Sequence, residues 1–156
     1  WREQLNGSDL LERLLELKTL DPGQPATIEA CIEAVNDEAA AIRYWAVVGL
    51  HRQTDGGDDI RHAIDSCLRD PSPVVRVAAA QAIADWGDPD AGLPILIDSL
   101  NHRQDTVRLH AALALDELGE TARPAIPAMR RALNDKFKYV MRVCQTALDR
   151  LEGGSE

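Results

Sequence analysis

At 156 residues the chain is long enough for one domain with a hydrophobic core and short for two. Its formal net charge of −9 argues against nucleic acid and against an anionic membrane surface as partners. Apolar residues make up 45%, yet no run approaches the ~20 needed to span a bilayer, and aromatics are only 4% beside abundant Ala and Leu, which favours packed helices over sheets.

In chain order the periodicity predicts helices over 8–19, 25–35, 39–53, 58–69, 72–86, 91–100, 104–118, 122–133 and 137–151. The first, with Leu10, Leu11, Leu14, Leu15 and Leu17, is expected to be an N-terminal cap or half repeat within residues 1–24. The others pair off as 25–53, 58–87, 90–119 and 122–152, with 153–156 a frayed tail. Ser72 and Asp105 are expected to cap second helices, and Gly87 and Gly119 to terminate them. Pro94, Pro124 and Pro127 fall in or near first turns, with Pro127 deep enough to bend its helix.

One segment recurs. It reads AVNDEAAAIRYWAVVGL from Ala34, CLRDPSPVVRVAAAQAI from Cys67, SLNHRQDTVRLHAALAL from Ser99 and, more weakly, ALNDKFKYVMRVCQTAL from Ala132. Arg43, Arg76 and Arg108 are separated by 33 and 32 residues, and Met141 takes the fourth place. Six residues before each stand Asp37, Asp70, His102 and Asp135. Small residues (Ala46, Ala79, Ala111, Cys144) and aliphatic ones (Leu50, Ile83, Leu115, Leu148) fill the third and seventh positions after. A repeated helix pair cannot bury its apolar stripe alone, so neighbours stack into one core.

These columns resemble HEAT repeats over about residues 25–151, which implies an all-α fold: an α-solenoid of about four HEAT-like helix pairs with an N-terminal capping helix. The resemblance implies a ladder of hydrogen bonds between Asp37, Asp70 and Asp135 and Arg43, Arg76 and Arg108. His102 and Met141 depart from it, so the ladder is expected to be incomplete after the third repeat. The wording IRYWAVVGL, DPSPVVRVAAAQAI and TVRLHAALALDELG is further similar to the helical region that follows the catalytic domain in bacterial, planctomycete-type sulfatases. That likeness implies an accessory region of a larger hydrolase, exported to the periplasm or outside the cell; without it a cytoplasmic site stays open, as the unpaired cysteines allow. No Cys or Ser stands in the Cys/Ser-x-Pro-x-Arg context that sulfatase chemistry needs.

The search for chemistry yields no catalytic, cofactor-binding or metal residue. Cys31, Cys67 and Cys144 lack Cys-x-x-Cys spacing and read as small buried residues. The four histidines lack i, i+4 pairing. The acidic loops at Asp55–Asp59 and Asp85–Asp90 lack a closing glutamate and read as turns. Positions one, five and eight after each arginine are expected to point away from the packed face. They bring forward Tyr44, Val48, Val77, Leu109 and Leu113 as docking residues for a protein partner or the catalytic domain of the parent chain. The competing reading is that neighbouring helices cover them. With Trp1 rather than Met at its start, the chain is expected to be an excised piece and monomeric. The alternative function is a stand-alone HEAT-like protein with a lyase or hydrolase site on its concave face.

Overall fold

In the computed structural model, residues 11–15, 19, 24–53 and 57–153 are described. The predicted cap over 1–24 lies mostly outside them, as do residues 154–156 of the tail, while Gly153 closes the last helix. The fold is all-α: among the described residues, eight α-helices and one 3₁₀ helix follow a helical stretch at residues 11–15. The helices are α1 (Pro25–Ala34), α2 (Ala40–His51), α3 (Asp58–Cys67), α4 (Pro73–Asp85), α5 (Pro89–Ser99) and α6 (Asp105–Leu118). A 3₁₀ helix (Gly119–Ala125), α7 (Ile126–Ala132) and α8 (Lys138–Gly153) complete the chain. None of these helices is long and apolar enough to cross a membrane.

The chain divides into two compact units, residues 1–75 and 76–156, with the division inside α4. In the first unit α1 packs on α2, and both touch α3. In the second, α6 packs on α5 and α8, and α7 closes against α8. The recurring sequence columns are the core. Ile42, Val75, Val107 and Val140 before the arginine position are buried, as are Ala46, Ala79, Ala111 and Cys144 three residues after it. Leu50, Ile83, Leu115 and Leu148 complete the set. All three cysteines are free and buried, and burial pushes the Cys144 thiol up to about 11, so it stays protonated.

Proline and glycine explain where the helices depart from prediction. The span 122–133 is not one helix. Pro124 and Pro127 each remove a backbone donor, and a 3₁₀ segment ends at Ala125 (φ −84°, ψ −5°) before α7 starts at Ile126. Pro127 therefore sits in the first turn of α7 rather than deep in a bent helix. Pro94 lies inside α5, because Asp88 caps that helix through the Ala91 N–H at 3.2 Å and starts it earlier than predicted. Gly87 and Gly119 adopt φ of +95° and +53° at the ends of α4 and α6. After α4 the Asp88 N–H returns to the Ile83 carbonyl at 3.1 Å and the Gly87 N–H to Ala84 at 3.3 Å, satisfying carbonyls at the helix end.

Helices approach closely at Gly92 of α5, where a Cβ would stand 2.3 Å from the Ala80 carbonyl oxygen and 2.9 Å from the Ala84 Cβ. Backbone cannot yield as a flexible side chain can. Gly92→Ala should therefore cost at least about 2 kcal/mol by overpacking, despite the better helix propensity of Ala, as read from denaturant midpoints. An unchanged or raised midpoint would show that α4 and α5 can slide apart.

Candidate functional site

In three of the four repeated segments one acidic side chain builds the turn before the second helix. Asp37, Asp70 and Asp135 accept the N–H of the residue two further on: Ala39 at 2.8 Å, Ser72 at 2.7 Å and Phe137 at 2.8 Å. This Asx geometry precedes the second helix and satisfies a donor that an N-cap would otherwise take. It also corrects the expected capping by Asp105: Gln104 is the N-cap of α6 and makes no side-chain cap bond, and Asp105 accepts from the Thr106 N–H. In the third copy His102 stands in the acidic position and does the same work, its Nδ1 accepting the Gln104 N–H at 3.2 Å.

Each of these carboxylates also meets an arginine from earlier in the chain. Arg43 Nε and Nη2 donate to the two Asp70 oxygens at 2.6 and 2.8 Å, while Nη1 donates to the Asp37 and Glu38 carbonyls of its own turn at 2.8 and 3.0 Å. Arg108 repeats the pattern with Asp135 at 2.6 and 2.9 Å and with the carbonyls of His102 and Arg103 at 2.8 and 3.3 Å. Arg13 pairs with Asp37. The guanidinium beside Asp135 holds that carboxyl below its ordinary range, and the same bonds raise Arg108 and, with Asp70, Arg43. Arg76 is half-buried on α4. The rung from the third copy to the fourth is thus complete, although the departures at His102 and Met141 led to the expectation of a gap there. Met141 is the arginine position of the last copy, so that rung does not need it.

Arg13 was not legible. It follows Glu12 instead of an aliphatic residue, and its partner lies 24 residues on rather than the 27 of the other rungs.

The candidate docking residues divide by burial. Val77 is 2% exposed and belongs to the core, a correction to the expected surface row. Its neighbours on α4 are small, and Ala78, Ala80, Ala82 and Ala84 are buried with it, while Arg76 and Gln81 are the polar groups of that stretch. Tyr44 and Val48 on α2 are half-buried, with the Tyr44 and Trp45 rings edge to face at 5.5 Å. On α6 Leu109 is half-buried and Leu113, one turn on, is 40% exposed. Beside them burial lowers the His110 imidazole below its ordinary value, so it adds no charge at neutral pH. Gln81 Nε2 donates to the exposed Glu117 at 2.6 Å, and Arg150 pairs with Asp116 at 2.8 Å. An apolar strip on α6 is therefore rimmed by polar groups.

Among known protein families, a model described as HEAT repeats matches residues 60–149. No curated protein matches the chain.

The Arg108–Asp135 rung carries a pH signature. A carboxyl held below its ordinary range stabilises the fold fully at neutral pH and loses that contribution as pH falls through its lowered value. Asp135→Asn should cost about 2 kcal/mol at neutral pH. The gap to the parent chain should narrow in urea titrations as pH drops from about 6 to about 3. A gap independent of pH would mean that the carboxylate charge contributes nothing.

Proposed function

This chain belongs to the HEAT-repeat family, and from that premise we propose that it is a protein-interaction scaffold whose docking surface includes the apolar strip of α6. The carrying observation is Leu113, 40% exposed in a helix whose other large aliphatic residues are buried or half-buried. An aliphatic anchor flanked by Leu109 and bordered by Glu117 and Asp116 has the anatomy of an interface, an apolar centre with a polar rim. In the first unit, Tyr44 and Val48 form a comparable half-buried patch. Tyrosine brings large contact area at low entropic cost.

We also retain, as a finer reading, an accessory region beside a sulfatase-type catalytic domain. Its support is the wording of residues 42–50, 70–83 and 106–119. On this reading the occupant of the α6 strip is the catalytic part of the parent chain.

The test compares Leu113→Asp with the core control Val77→Asp. Proteins captured on the immobilised chain and then purified should bind Leu113→Asp at least about tenfold more weakly by calorimetry. Its thermal midpoint should stay within about 3 °C of the parent, whereas Val77→Asp should unfold. Undiminished binding, or loss of the fold in Leu113→Asp, would overturn the assignment.

A further inference from the structure

The C-terminal unit holds a cavity of about 350 Å³ between the turn after α5, the start of α6 and the end of α7. The Arg108–Asp135 rung contributes to its wall, and there the two charges cancel. The remaining polar lining is different in kind. Arg131 and Lys136 stand at the cavity with the carboxamides of Asn101 and Asn134. Among the described residues Arg13, Arg43, Arg108, Arg123, Arg130 and Arg150 each have a carboxylate partner. Arg131 and Lys136, both exposed, have none among those residues. In a chain with 26 acidic and 17 basic residues, acids are in excess, so two cations left without one at the same cavity form a local reversal of sign. His102 adds a donor. Its Nδ1 is engaged by the Gln104 N–H, which leaves the hydrogen of the neutral ring on Nε2.

We propose that this cavity binds the carboxylate of an Asp or Glu side chain presented by an extended segment of a partner protein. A planar guanidinium at Arg131 matches a carboxylate through two parallel hydrogen bonds, and Lys136 supplies a second charge without geometric demand. The two asparagine carboxamides offer both donors and acceptors, which a peptide backbone requires and a bare ion does not. The volume lies at the lower end for ligand sites, enough for one acidic side chain and its flanking peptide units. A doubly charged phosphate fits less well. Asp135 lines the same space, and α5 and α7 end beside it, at Ser99 and Ala132, so their negative dipole ends oppose a second charge. The proposal rests on the reading of the chain as an interaction module only in making the occupant a protein; the α6 strip plays no part in it.

Fluorescein-labelled hexaglutamate, titrated into the whole chain at low salt and followed by anisotropy, is the probe. Saturable binding is expected, weakened by added salt and absent for hexaglutamine. Arg131→Gln with Lys136→Gln should weaken it at least about tenfold while the circular dichroism melt is unchanged. Should that pair disturb the melt, Arg131→Gln alone must still weaken binding. Leu113→Asp should bind hexaglutamate normally, which separates failure here from failure of the docking strip. Absence of saturable binding, or binding indifferent to Arg131 and Lys136, overturns the proposal. So does inorganic phosphate that displaces the probe as well as unlabelled hexaglutamate does, because the cavity would then hold a free oxyanion.

Discussion

The guanidinium of Arg108 uses all three of its nitrogens on backbone and carboxylate oxygens, and the turns of the C-terminal unit depend on that placement. Nη1 closes the turn from which its own helix springs, and Nε with Nη2 grips the aspartate of the turn after α7. Asp135, so held, still has an oxygen lone pair for the Phe137 N–H that sets the start of α8. Arg43 does the same between Asp37 and Asp70. A part-buried charge costs desolvation, and here nearly every donor and acceptor around it is matched. Geometry at one turn therefore becomes geometry at the next.

That arrangement explains why the core repeats. Once the arginine is fixed at the start of the second helix, helical spacing sends the residue before it, and those three and seven after it, to the same side. Those columns are the ones filled by Val, Ala and Leu, and all are buried. Small residues there let helices approach closely. The same logic reaches its limit at Gly92, where even a methyl group is excluded.

Fold class was legible because the buried columns and the rungs share one register, so a single period near 33 residues carries both. Surface assignment was less legible. Helical spacing identifies a face but not what lies on it, and Val77 of α4 is buried. Leu113 lies on the equivalent ridge one repeat later and stays exposed, with Glu117 exposed one turn on. Helix starts near 91 and 122 were misplaced because Asp88 and the pair Pro124 and Pro127 act locally and non-periodically. The cations Arg131 and Lys136 left no sequence signal at all: they come from a helix end and a turn, and only the fold sets them at one cavity.

The proposed scaffold role needs a frame that holds side chains in fixed places, and the rungs and buried columns supply it within each unit. Whether the Arg108–Asp135 rung holds its two turns together is tested most directly by a double-mutant cycle on these residues. Arg108→Ala, Asp135→Ala and the double variant, compared by denaturant unfolding, should show a coupling of about 1.5–3 kcal/mol. Single-variant losses that add to within about 0.5 kcal/mol would contradict it, because the two turns would then be held by packing alone.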